Sequence, residues 1–434
     1  MPASQEFDPL AGRSSLRAGL NLLGIERLAL TIYNTAFPSL SEEELGCGSP
    51  YSHGGHAFMR FAHELGFDTL ILGPQGQTHA TQRSPYAGCA FFRNLLAVAP
   101  LPLTSPRLNL LSQTHLQRLV RGAPVSQGGA ALDRVDFAYA WNSARGLLDG
   151  AVAGLSQASE ALVPMQAAFR TYVQEQLTTG SWLERGCLFS ALAETRGTDD
   201  WARWPEADRH LYRDVEASRG GKRISGLLQS LKKPVEQAAL GQFLLQWQHS
   251  DLEREARSLG LALWTEVNAS LLPQSLQDAW AYGEHLPSLQ SRIQHWQDHF
   301  DGVQVVDVEN SGTAKFVSTT AVDEPPVWSR AASAQSAEEE AAKTFAAGHT
   351  HVAVLFTDLF GLKDSYAGST APAEARFALR VPADYARTYP ANARATAALD
   401  LRRVVALALR SKVHNNASSA LATALMAEAA HAPF

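Results

Sequence analysis

Short apolar runs ending in glycine, proline or a polar residue recur along the chain, separated by stretches of helical spacing. Arg27 to Asn34 (RLALTIYN), Phe67 to Leu72 (FDTLIL), Leu261 to Asn268 (LALWTEVN), Gly302 to Val308 (GVQVVDV) and His351 to Phe356 (HVAVLF) each predict a strand. Near-continuous apolar runs of this length suit strands buried on both faces. Between the first two, His56 to Leu65 carries Phe58, Phe61, Ala62 and Leu65 at helical spacing, and Gly66 ends it. A strand, a helix and a strand in this order seed a parallel sheet.

Helical patterning dominates the middle of the chain. Asn109 to Arg121, Trp141 to Leu162, Ala167 to Leu177, Trp182 to Glu194 and Val235 to Gly260 all read as helix. Trp280 and Trp296 fall in helical sequence between the third and fourth strands. Thr319 to Ala337 is rich in Pro, Ser and Ala without a period and reads as a linker. Ala334 to Ala347 is a helix stopped by Gly348, and residues 399–428 are Ala/Leu-rich helix. Residues 1–25 carry little signal, and the acidic Glu42-Glu43-Glu44 reads as a solvated face.

The most distinctive loop is Gly73 to Asn94 (GPQGQTHATQRSPYAGCAFFRN), directly after the second strand. Loops after strands carry the active site in an α/β barrel. Ser84-Pro85-Tyr86 and Phe91 there would set hydroxyls and aromatic rings at a cleft mouth, a surface suited to sugars.

Composition narrows the field. At 434 residues there is room for two or three domain-sized units, or one barrel with insertions. A net charge of −6 disfavours nonspecific nucleic-acid binding, and no apolar stretch approaches the roughly 20 residues of a membrane span. The three cysteines are scattered, and the N-terminus lacks the regions of a signal peptide, so a cytoplasmic protein is expected. His53-Gly-Gly-His56, His349-Thr-His351 and the His295/His299 pair lack the partners of a metal site, and no glycine motif matches a nucleotide fingerprint. No metal and no cofactor is expected.

Taken in order, these pieces resemble the amylomaltase, or 4-alpha-glucanotransferase, family. The resemblance rests on Leu72-Gly73-Pro74, Ser84-Pro85-Tyr86 and Asn94, then Val135-Asp136-Phe137, Trp182-Leu183-Glu184, Trp204-Pro205 and Gln242-Phe243. It continues through Thr265-Glu266-Val267-Asn268, Thr357-Asp358-Leu359-Phe360-Gly361-Leu362 and Leu379-Arg380-Val381-Pro382. It implies a (β/α)₈ barrel with helical insertions and a retaining transfer of α-1,4-glucosyl units, in which one carboxylate attacks and a carboxylic acid protonates the leaving oxygen. Ser84, Tyr86, Phe91, Asn94, Trp264 and Trp280 would then form a saccharide-binding rim.

The departures from that family carry the functional expectation. Where the resemblance implies the nucleophilic Asp, ungapped alignment places Val306, with Gln304 at the accompanying Arg and Asp307 one residue late. A one-residue slip turns a strand side chain to the other face, and only a bulge before Asp307 would restore it. The acid/base motif has no counterpart, and the stretch from Ser311 to Thr350 is too short for three βα units. The expected fold is therefore α/β, a degenerate barrel with fewer than eight units and a large helical insertion. Its segments would be 1–99 (barrel units), 100–258 (helical insertion), 259–318 (barrel units), 319–348 (linker and helix) and 349–434 (last strand and terminal helices).

Asp307, Glu309, Glu266 and Asp358 are the carboxylates that a relocated catalytic pair could use. The expected protein is a pseudoenzyme that binds maltooligosaccharide or serves as a scaffold, with a surviving glucanotransferase as the alternative. Lost barrel units would bare sheet edges, so a homo-oligomer or a protein partner is expected to cover them.

Overall fold

The computed structural model describes residues 9–79, 83–106, 108–122, 134–157, 159–212, 219–269, 275–308, 314–319, 327–328, 337–362, 376–389, 398–412 and 416–431. Its strands are β1 (Arg27–Ile32), β2 (Thr69–Leu72), β3 (Ala262–Asn268), β4 (Gly302–Val308), β5 (Ala314–Thr319), β6 (Val327–Trp328) and β7 (His351–Leu355). They form one seven-stranded sheet in the order β5-β4-β3-β2-β1-β7-β6. All neighbours pair in parallel except β4 and β5, which run antiparallel.

Among the described residues the sheet does not close, since β5 and β6 are its two edges. It nevertheless curls. Residues 320–326 must link Thr319 on one edge to Val327 on the other, and a fully extended chain of that length reaches at most about 28 Å. The molecule is thus a half-barrel, a degenerate form of the TIM-type barrel.

Alternation sorts the strand side chains into two layers. Leu28, Leu30, Ile32, Leu70, Leu72, Leu263, Val303, Val305, Val352 and Val354 join the main core beneath the helices. The other set lines the concave face. Ala29, Ile71, Trp264 and Ala353 form one layer of it, and Val306 joins Tyr33, Tyr86 and Phe377 nearer the strand ends.

The helices are α1 (Pro9–Leu23), α2 (His53–Glu64), α3 (Gln113–Arg121), α4 (Phe137–Leu155), α5 (Val163–Gln176), α6 (Trp182–Arg196), α7 (Glu206–Arg209), α8 (Arg219–Ser230), α9 (Lys232–Leu259), α10 (Leu276–Tyr282), α11 (Leu289–Gln297), α12 (Ala337–Ala346) and α13 (Phe356–Leu359). Serine caps start several of them: Ser52, Ser181, Ser275 and Ser288 each accept a backbone N–H in the first turn. Gly197 and Gly260 end α6 and α9 at φ of 68° and 71°, a conformation that favours glycine. Helices α3 to α9 fill the interval between β2 and β3, and α6 packs along α9. On the far side α1 packs on the helices Leu401–Lys412 and Asn416–His431, with α12 against the former.

Three expectations change. The stretch read as a linker contributes β6, and the sequence before it contributes β5; neither carries a long apolar run, because both are edges. The weakly patterned N-terminus forms α1, with Leu16, Leu20 and Leu23 buried. Glu43, placed on a solvated face, is 2% exposed. Its carboxylate accepts the N–H groups of Leu40, His53 and Gly54, tying a loop to the start of α2, while Glu44 pairs with Arg380 at 2.9 Å.

Candidate functional site

The loop after β2 folds back on itself. Gln77 donates its N–H to Phe92 O at 2.7 Å, Cys89 donates to Gln77 O at 3.1 Å, and Asn94 donates to Gln75 O at 2.9 Å. Gly76 makes this crossing possible, because a Cβ there would lie 2.0 Å from Cys89 O. The fold-back presses Tyr86 onto the concave face of the sheet. Its hydroxyl donates to Glu266 Oε2 at 2.8 Å and lies 3.4 Å from Tyr33 Oη. Tyr86, Tyr33, Val306 and Phe377 together form an apolar plug at the strand ends.

Beside that plug lies a small cleft bordered by Gly76, Tyr86, Glu266, Asn268, Ser275 and Arg292. Its free volume is about 30 Å³, room for about two water molecules. Glu266 supplies the one carboxyl among the described residues bordering it. Burial pushes that carboxyl up to about 7, opposed by the Tyr86 hydrogen bond. Burial likewise raises Asp278 to about 7, although the Ser275 side chain and the Ala90 N–H hydrogen-bond its carboxyl. Burial lowers Arg292, which donates to Asn268 O at 2.5 Å and Ala269 O at 3.1 Å.

Below the plug the concave face is polar and incompletely satisfied. Glu266 sits beside Gln304 in the β3–β4 register. Thr31 Oγ1, Glu266 Oε1 and both amide atoms of Gln304 are buried without a hydrogen-bond partner. Such a layer can hold ordered water, and Glu266 can give or take one proton near neutral pH. Retaining glycosyl transfer needs two carboxyl groups about 5–5.5 Å apart, and the cleft brings one.

The residues singled out from sequence are distributed as follows. Glu266 and Tyr86 are brought into contact. Ser84 starts the turn that carries Tyr86, its carbonyl accepting Ala87 N–H at 3.1 Å. Asn94 caps a short turn, accepting Leu96 N–H at 3.1 Å and donating to Thr78 Oγ1 at 3.0 Å. Phe91 is half-buried against His295 and Tyr282, outside the cleft. Trp264 offers no open ring: it is buried in the concave layer, with the Arg27 guanidinium 5.1 Å above it. Trp280 is buried among Phe189, Trp204 and Tyr212 and donates to Asp208 O at 2.9 Å, so it joins α10 to the helical insertion. Asp358 is buried in α13, outside the lining of this cleft.

Asp307 pairs with Lys315 through the backbone; its side chain and all of Glu309 lie outside the described residues. The β4–β5 register shifts between Val305 and Val306, and the extra residue is Val317 on β5. On its other side β4 stays in regular register with β3 as far as Asn268 and Val306, and Val306 faces the plug. Ser275, Asp278 and Arg292 were missed from sequence. They flank β3 in no motif; the packing of α10 and α11 brings Ser275 and Arg292 to the cleft and sets Asp278 behind its lining, on the N–H of Ala90. Among the described residues no three His, Cys, Asp or Glu side chains are placed to hold a metal ion. Among the same residues no helix is long and apolar enough to cross a membrane.

Residues 36–292 match the family model described as 4-alpha-glucanotransferase. Among solved structures, amylomaltase from Streptococcus agalactiae in complex with acarbose is similar at 15% identity and a TM-score of 0.50, over 76% of this chain and 68% of that one. Amylomaltase from Corynebacterium glutamicum is similar at 13% identity and a TM-score of 0.45, over 67% of this chain and 42% of that one. No curated protein matches.

Proposed function

The chain belongs to the 4-alpha-glucanotransferase family, and from that premise we propose that it is a catalytically degenerate member that binds maltooligosaccharide without transferring glucosyl units. The observation that carries this reading is the lone carboxyl of the cleft: Glu266 borders it with no second carboxyl among the described lining residues. Val306, which the alignment sets at the nucleophile, is fully buried in the plug. A valine has no lone pair with which to form a glycosyl-enzyme. The free space of about 30 Å³ is also far smaller than a sugar ring requires.

The second reading, a transferase with relocated carboxylates, draws support from Glu266 itself. A carboxyl raised to about 7 is poised as a general acid near neutral pH. Incubation with maltotriose separates the two readings. The first expects an unchanged maltotriose peak over a long time course. Glucose with a ladder of longer maltodextrins would establish the second, and loss of that ladder in Glu266→Gln would assign the acid.

The reading extends to assembly. Edge strands β5 and β6 leave a ladder side unpaired within the described sheet, and such edges pair readily with another chain. A homo-oligomer is the expected state, and a monomer by light scattering at micromolar concentration would count against it. The segments 1–99, 100–258, 259–318, 319–348 and 349–434 remain the proposed organisation, with the helical insertion as the separate unit.

A further inference from the structure

The concave face is plugged, but a cavity of about 510 Å³ opens elsewhere, between residues 77–79 of the β2 loop and helices α4, α6 and α9. Its size lies within the roughly 300–1,000 Å³ of small-molecule sites. Leu95, Leu148 and Phe189 form apolar walls, and Trp141 and His79 also line it. Two buried nitrogens on these side chains, Trp141 Nε1 and His79 Nε2, have no hydrogen-bond partner. His79 is 5% exposed and packs edgewise on Phe189 at 5.3 Å.

The charges around the cavity narrow the ligand class. Among the described residues Glu194 and Asp199 line it without a Lys or Arg ion-pair partner, and Asp199 pairs with His79, 3.9 Å away. Burial holds that imidazole down to about 4, so it is neutral at pH 7. Arg145 is on the same lining. A phosphate or carboxylate ligand would be repelled by the two acids. A wholly apolar ligand would strip water from both acids and the guanidinium without replacing it. A neutral polyol satisfies all three, since its hydroxyls donate to carboxylates and accept from Arg145, and a pyranose C–H face can lie on an indole.

We infer that this cavity, between the β2 loop and the helical insertion, is the saccharide-binding site of the protein. The inference rests on the sugar-binding reading given above and relocates it from the plugged half-barrel to the insertion. Trp141 supplies the stacking face, Asp199 and Glu194 accept hydroxyl hydrogens, and Arg145 donates.

Calorimetric titration with maltoheptaose tests it on the full chain, using wild type, Trp141→Ala and Asp199→Asn, each checked for folding by circular dichroism. The asparagine keeps the shape of the aspartate and removes its charge, so it remains informative should the alanine variant unfold. The expected result is binding by wild type and at least about tenfold weaker binding by each variant, the scale of one lost charged hydrogen bond or stacking contact. Wild-type affinity in both folded variants would overturn the location and leave sugar binding standing. No heat from wild type at millimolar maltoheptaose would overturn sugar binding and this site together.

Discussion

The concave face of the half-barrel and the cavity beside the helical insertion use similar residue types to opposite effect. Each combines aromatic rings, carboxyl chemistry and an arginine. At the concave face Tyr86, Val306 and Phe377 pack into a plug, Glu266 is 1% exposed, and about 30 Å³ remains free. At the insertion the acids keep contact with an open volume of about 510 Å³. The difference lies in what surrounds them. Strands spaced by less than 5 Å force side chains of one layer together, whereas helices α4, α6 and α9 meet a loop and leave a gap. Among the described residues the larger open space therefore follows the inserted helices rather than the strand ends.

The largest expected effect breaks the junction between the two regions. Trp280→Ala removes a buried ring and its bond to Asp208. It should cost about 3–5 kcal/mol in urea unfolding. A loss near zero would mean that the ring serves a ligand instead of holding α10 to the insertion.

Acid should loosen the same junction. Burial, followed by the nearby positive charge of Arg93, lowers His249 to about 3. Its Nε2 lies 2.6 Å from His299 O, tying α9 to the entry of β4. A histidine depressed when folded contributes stability that is fully present above its unfolded value and is lost as pH falls. His249→Gln should therefore remove about 3 kcal/mol of stability change between pH 6.5 and 4 relative to wild type. Parallel profiles for the two proteins would contradict the assignment.

The concave face should titrate in the opposite sense. Glu266 is raised to about 7, so its contribution is complete below the ordinary carboxyl range and is lost as pH rises through 7. Glu266→Gln should cancel a fall of about 2–3 kcal/mol between pH 4.5 and 7. If the variant keeps the wild-type slope, Glu266 is already ionised and its surroundings are wetter than described. The smallest effect is expected at His53, an exposed residue in the first turn of α2. His53→Ala should change stability by less than about 0.5 kcal/mol, with or without zinc; a metal-dependent shift would restore a metal role for His53 and His56.

The strands that seed the sheet were legible because local chemistry suffices for them. RLALTI, TLIL, ALWTEVN, GVQVVDV and HVAVL are apolar runs flanked by polar or glycine stops, and all five became strands. Edges β5 and β6 were not legible, since an edge strand needs little apolar sequence. Burial of Glu43 could not be read either, because its partners lie on another segment, up to eleven residues away. Trp264 and Trp280 were expected as stacking rings, yet aromatic sequence alone does not distinguish a ring facing solvent from one filling a core. The insertion cavity depends on His79, Trp141 and Asp199, separated by some sixty residues at each step and joined only by helix packing.

Hydrogen exchange with and without saturating maltoheptaose tests the central contrast most directly. The account predicts slowed exchange in residues 77–79, 141–148 and 189–199, with Tyr86 to Phe92 and the ends of β3 and β4 unchanged. Slowing confined to Tyr86–Phe92 and those strand ends would show that the half-barrel still holds the sugar and would contradict the account.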